Sequence, residues 1–430
     1  MSELDVFLDN INRINSKREG DCTIEQAQET IKAINEFLFA EYDCPEKIEA
    51  FGREFSYFSA FHKYWHDNYD KILNARICDK TCEKVADLLH NIYIESDGKA
   101  FYEIYSTEGL RKEDICRVRF LTANQDFRGS RDFKQLANIF KEDSSVFNEK
   151  RIINEPDNFL GKLKLTSLSQ MEKRPKFSRK ACEFLIEHDT SPYDMIECYD
   201  HDIYKLRNAL ISYNAGYGNK KTDMFIRDMV VLGIWKDVKG FEKIDVASDM
   251  NTIKVALRVG ILKLDIPLVS SFLDMFCYQY AYIDNLNAKA WRRVWEIWRE
   301  KYPRESIESP CLMDYFIYRL IGQSYCKNHY YFRCDEGHIF IAGPTTKYCK
   351  ICGSSPKRTN AEKIFYGLPC DFTLDKKDKE TSIIHCPFDE LCNENDRKYL
   401  NPPKSISILG TTGWESAYTK PGEGGGGLMA

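Results

Sequence analysis

No apolar run in this chain approaches the roughly 18 to 20 residues that a membrane span needs. The opening stretch MSELDVFLDNINRI is acidic and amphipathic, without the basic n-region and apolar core of a secretory leader. The sequence therefore reads as cytoplasmic, with no membrane partner. An excess of positive charge is also missing: 61 Lys and Arg stand against 66 Asp and Glu, a net charge of −5. Any nucleic-acid contact must then come from a local basic surface, not from the global field. Strand-like alternation is scarce before residue 326, and there is no internal repeat.

What is present is an ordinary globular composition, 43% apolar and 13% aromatic, which excludes a disordered or fibrous chain. Its 430 residues exceed what one core usually organises, so more than one domain is expected. Sixteen cysteines in a chain that reads as cytoplasmic argue for thiols and metal ligands over disulfides. Nine are scattered before residue 326, and seven fall between Cys326 and Cys392.

Helical periodicity runs from the N-terminus to about residue 302, as in TIEQAQETIKAINEFLFAEY, where Thr23 is a candidate N-cap. Cys78 and Cys82 are spaced i, i+4 with no second ligand pair nearby and read as buried or idle thiols. In KAWRRVWEIWRE, Trp291, Trp295 and Trp298 recur at helical spacing, which predicts a core stripe more readily than a nucleobase platform.

The stretch YNAGYGNKKTDMF carries the first functional signal. Gly216 and Gly218 permit positive φ and a close backbone approach, and the helix beginning near Asn219 would turn its first N–H groups toward an anion. A plain turn with a solvated Lys220–Lys221 pair is the alternative. Some thirty residues on, DMNTIKVALRVGIL offers Asp249 as the N-cap of a second helix, fixing its carboxylate at a helix N-terminus.

Together these segments resemble the helix-hairpin-helix DNA glycosylase superfamily, in particular its 8-oxoguanine branch. In that family a glycine hairpin precedes a lysine, and an N-cap aspartate heads a helix carrying R, V, R and G; Lys254, Val255, Arg258 and Gly260 match at those offsets. The resemblance implies Lys220 and Asp249 as catalytic residues, and Asn124, Gln125, Asp314 and Phe316 as lining of a base pocket. The sequence departs from the pattern at Ala215, Tyr217 and Thr222, where the family has proline, an apolar residue and alanine. The resemblance spans about 200 of the 430 residues.

The implied chemistry is excision of an oxidised or otherwise modified purine followed by abasic-site cleavage. The partner is duplex DNA with the target nucleotide flipped out. Asp249 would stabilise positive charge on the sugar, and the Lys220 amine would form a Schiff base at C1′. Lys221, the helix N-terminus and desolvation by DNA all favour the neutral amine. The hairpin residues Gly216, Gly218, Asn219 and Lys221, with Arg174, Lys176, Arg179 and Lys180 of KRPKFSRK, are the candidate DNA contacts. The alternative is a non-catalytic DNA-binding protein, such as one serving bacterial anti-phage defence. An RNA-binding accessory ranks last.

After Cys326 the texture becomes aromatic and β-like. Cys334-x3-His338 and Cys349-x2-Cys352-Gly supply two ligand pairs suited to tetrahedral zinc, without the iron–sulfur spacing found in some glycosylases. Cys370, Cys386 and Cys392, with Cys326 as fourth ligand and His385 or His329 as substitutes, form a candidate second zinc set. This end is also a candidate surface for a protein partner.

The expected architecture is mainly α, a two-subdomain helix-hairpin-helix glycosylase fold with an N-terminal helical region and a small C-terminal zinc-binding domain. The expected boundaries are 1–112 for the N-terminal region, 113–325 for the glycosylase-like domain, 326–400 for the Cys-rich domain and 401–430 for a flexible Gly- and Pro-rich tail.

Overall fold

The computed structural model describes residues 3–16, 29, 33, 48–50, 53–55, 70, 74–125, 132–165, 172–264, 280–326, 329–342, 349, 352–365 and 386–392. Thr23, Cys370, His385 and the tail from 401 lie outside them. The fold is mainly helical. In chain order the principal helices are α1 (Glu3–Ser16), α2 (Asp79–Glu95), α3 (Lys112–Ala123), α4 (Phe133–Glu142), α5 (Glu149–Asn154), α6 (Pro156–Lys162), α7 (Arg174–Glu187), α8 (Ile203–Tyr213), α9 (Asn219–Val231), α10 (Met250–Val259) and α11 (Tyr280–Lys301). A π-helical segment covers Phe316–Tyr325. Among the described residues no helix is long and apolar enough to cross a membrane.

Two compact units divide the chain, and neither is continuous in sequence. The first takes residues 1–88, 249–294 and 317–430, and the second takes 89–248 and 295–316. The cut falls between Ser248 and Asp249, so the two sequence motifs belong to different units.

The second unit is built around α3, whose Ile115, Val118, Phe120 and Leu121 are all buried. The helices around it start where short polar side chains satisfy the first free N–H groups. Asp132 accepts from Gln135 N in α4, Asn148 from Arg151 N in α5, and Asp202 from Tyr204 N and Lys205 N in α8. Asn214, in the left-handed region at φ 57°, ends α8. Aromatic contacts fill the interior: Phe101 lies 5.2 Å from Trp298 and 5.3 Å from Phe316, centroid to centroid.

Charges are also buried there, in a matched set. Asp228 accepts from Arg119 Nε at 2.8 Å, from Tyr105 Oη at 2.9 Å and from the Arg227 guanidinium, which in turn donates to Asp314. Two guanidinium groups thus meet two carboxylates, the arrangement that makes ionic groups tolerable out of water. Burial, and then the charge of Asp228, push the Tyr105 hydroxyl well above its ordinary range and keep it a donor.

In the first unit, α10 begins with a capping box between Asp249 and Thr252 and ends at Gly260, φ 79°. The chain then pairs as β4 (Leu262–Lys263) with β3 (Arg76–Ile77) in antiparallel register. β1 (Ile48–Ala50) and β2 (Arg53–Phe55) form a separate hairpin. The Cys-rich end folds as a three-stranded antiparallel sheet in the order β6 (Ile339–Ala342), β5 (His329–Cys334), β7 (Pro356–Phe365).

Trp291, Trp295 and Trp298 are all buried on α11, as the periodicity predicts. Trp295 and Trp298 donate their indole N–H groups to Ile307 O and Glu305 O, each at 2.9 Å. Cys82 is buried, and that burial pushes its thiol up to about 12.

Candidate functional site

The glycine stretch lies in the second unit, where residues 214–218 join α8 to α9. Gly216 has φ +81°, and a Cβ there would come within 2.6 Å of the Phe177 ring on α7. Both backbone and packing therefore demand glycine. Gly218 differs: it caps α9 in extended backbone, with open space where a Cβ would stand. Tyr217 is 3% exposed, stacks on Phe120 at 5.3 Å and donates its hydroxyl to Phe120 O. It bolts the turn to α3.

Lys220 is exposed on the first turn of α9. Lys221, one residue on, is turned inward, and its ammonium donates to Asn124 O at 2.8 Å. A shift of one helical position rotates a side chain by about 100°, which separates the two amines. Lys221 is thus an anchor between α9 and the end of α3. Asn219, also exposed, accepts from Arg207 Nη2 at 3.2 Å, and Arg207 pairs with buried Asp223.

The residues expected to line a base pocket do other work. Asn124 is fully buried and donates to Phe177 O at 3.1 Å and to Ala215 O at 3.0 Å. Gln125, 1% exposed, donates to Arg174 O at 3.2 Å and Ser178 Oγ at 3.0 Å. They staple α3 to α7 and to the glycine turn. Asp314 is held in the buried ion network and Phe316 in the aromatic core. Polar and aromatic residues near a motif look alike in sequence whether they face a ligand or fill a core. These four fill the core.

The basic segment KRPKFSRK becomes the start of α7. Arg174 is 1% exposed and donates to Gln125 O at 3.0 Å, so it is no DNA contact. Arg179 spends its guanidinium Nε–H on Ile153 O at 3.1 Å. Lys173, Lys176 and Lys180 are exposed, and cations at a helix start oppose the dipole unless an anion joins them.

Asp249 lies in the first unit and is 7% exposed. One carboxylate oxygen accepts from Asn251 N at 2.9 Å and Thr252 N at 2.8 Å, and the other accepts from the Asn251 side-chain amide at 3.2 Å. The group is thereby fixed in orientation. Asn251 went unnoticed in the sequence. It abuts Gly322 of the π-helical segment, where a Cβ would lie 2.6 Å from Asn251 Cβ.

Cys334, His338, Cys349 and Cys352 come together as the spacing predicts, with their ligand atoms all within 4.8 Å of one another. Cys334 Sγ lies 3.3 Å from His338 Nδ1 and 3.7 Å from Cys352 Sγ. Two tight turns shape the cluster: Gly337 (φ 80°) and Gly353 (φ 74°) let Gly337 N reach Cys334 O at 2.9 Å and Gly353 N reach Cys349 O at 2.7 Å. The thiol of Cys352 is brought down to about 6, first by its hydrogen bond with Ser354 Oγ. Three sulfurs and one imidazole in this arrangement can hold a metal ion such as zinc.

Comparison of the chain with protein-family models, with curated proteins and with solved structures gives no match.

Proposed function

We propose that the chain is a DNA base-excision glycosylase with abasic-site lyase activity, acting on an oxidised or modified purine. The observation that carries this reading is the local form of the two motifs. A glycine turn with positive φ leads into a helix whose first turn exposes Lys220, and Asp249 heads a second helix with its carboxylate oriented by three hydrogen bonds. The exposed Lys173, Lys176 and Lys180 supply the basic patch that the net charge withholds.

In the proposed reaction the N-glycosidic bond breaks as positive charge builds on the sugar, and the base departs with the bonding electrons. The Asp249 carboxylate stabilises that charge. The Lys220 amine forms a bond to C1′, the sugar ring opens to a Schiff base, and loss of a C2′ proton expels the 3′ phosphate. The metal cluster of the Cys-rich end, read as zinc, is structural and takes no part in this chemistry.

A second reading, a non-catalytic DNA-binding protein, draws on the side chains that the core absorbs. Asn124, Gln125, Asp314 and Phe316 are all buried, and Lys221 is anchored to a backbone carbonyl. The two readings part in a screen of lesion-containing duplexes. Excision of one modified purine by the wild type, abolished in Lys220→Gln, supports the enzyme. DNA binding without excision of any base supports the binding protein.

A further inference from the structure

The three remaining described cysteines of the Cys-rich end meet at one place. Cys326, Cys386 and Cys392 line a single cavity in the first unit, together with Asp389, Arg258 and Tyr325. Sequence spacing suggested Cys370 as a companion ligand, but that residue lies outside the described ones. Asp389, which the sequence did not single out, lines the same cavity. We propose that Cys326, Cys386, Cys392 and Asp389 form a second, independent site for a thiophilic divalent cation, zinc in the first instance, which ties the segment 386–392 to α10 and the π-helical segment.

Size permits an ion. The cavity leaves about 30 Å³ open to the centres of water-sized spheres, room for a few waters or for one ion among its ligands. Ligand chemistry argues for zinc or a similar soft cation, because three sulfurs and one carboxylate suit it better than calcium or magnesium.

Backbone geometry argues for a built loop. The turn between Cys386 and Cys392 closes through Asp389 N to Cys386 O at 2.9 Å and Cys392 N to Asp389 O at 3.3 Å, bringing both cysteines and the aspartate into one short arc. Phe388, 2% exposed, pins that arc in place. Cys326 closes the π-helical segment, with its N–H on Ile321 O at 2.8 Å.

Charge argues for the same occupant. Three thiolates and a carboxylate around a dication leave an excess of two negative charges, and the buried Arg258, whose guanidinium donates to Cys326 O at 3.4 Å, offsets one of them. The three thiols are each partly exposed, unlike the fully sequestered Cys116 and Cys182, so an ion can reach them. Among the described residues only Cys334, His338, Cys349 and Cys352 already hold their ligand atoms within 4.8 Å of one another, so an ion at this cavity requires the side chains of Cys326, Cys386, Cys392 and Asp389 to turn toward it.

The test counts metal on the full chain, purified with reductant from zinc-supplemented cells and measured by elemental mass spectrometry. Two zinc ions per chain are expected in the wild type, one in Cys392→Ser, one in Cys349→Ser, and none in the double variant. A count of one in the wild type that Cys392→Ser leaves unchanged overturns the proposal. Should Cys392→Ser not be recovered folded, alkylation of the wild type decides. Cys326, Cys386 and Cys392 should resist N-ethylmaleimide in the zinc-loaded protein and react after chelation. Equal labelling in both states, or a Cys386–Cys392 disulfide in the reduced preparation, contradicts it.

Discussion

Gly216 stands against Phe177 so closely that a single added methyl carbon would come within 2.6 Å of the ring. With φ at +81°, the glycine turn is fixed both from within the backbone and from outside by α7. Gly216→Ala should therefore destabilise the protein by at least about 1–2 kcal/mol from the backbone alone and, on the proposed function, weaken binding to duplex DNA. Gly218→Ala, in extended backbone with open space, should cost under about 1 kcal/mol. Urea midpoints of the two variants check this. Equal losses would refute the distinction between the glycines.

The buried network around Asp228 makes a separate prediction. Removing its charge leaves Arg119 and Arg227 without their shared carboxylate, so Asp228→Asn should lose roughly 3–5 kcal/mol. Thermal and urea unfolding would read this directly. A loss below about 1 kcal/mol would mean that water reaches the network.

Part of this was legible in advance. Helical periodicity, the Trp291–Trp298 stripe and the ligand spacing of Cys334, His338, Cys349 and Cys352 each encode a local pattern that one stretch of chain can satisfy alone. The fates of Asn124, Gln125, Asp314 and Arg174 could not be read, because each depends on a partner dozens of residues away: Asn124 on Ala215, Gln125 on Ser178, Asp314 on Arg227 and Arg174 on Gln125. The discontinuous units were hidden for the same reason. Sequence shows where a helix begins, and Asp249 was found by its capping signature, but it does not show which of two neighbouring lysines turns inward. Lys221 meets the Asn124 carbonyl only because the glycine turn brings the two together.

Asn251 orients the Asp249 carboxylate through its side-chain amide, a contact separate from the backbone cap that holds the group. Asn251→Ala should leave stability within about 1 kcal/mol of wild type while lowering the rate of the proposed excision about tenfold, about 1.4 kcal/mol of barrier. Single-turnover kinetics at saturating enzyme would show it. An unchanged rate would make Asn251 only a spacer against Gly322.

Thiol reactivity should separate the cysteines. Burial raises Cys82 from its ordinary value of 9 to about 12, so its reactive thiolate stays scarce until the pH rises through that value. Cys116 and Cys182 are raised by the same cause, whereas Cys198 is exposed. Native alkylation at pH 8 should label Cys198 and spare the other three, by peptide mass spectrometry. Rapid labelling of Cys82 would show that the α2 region opens.

The amine of Lys220 is the centre of the proposed chemistry, and borohydride reduction tests it most directly. Incubated with abasic or lesion duplex and then reduced, the wild type should form a covalent adduct whose peptide maps to Lys220, and Lys220→Gln should form none. An adduct at Lys221, or none in the wild type despite tight DNA binding, would contradict the account.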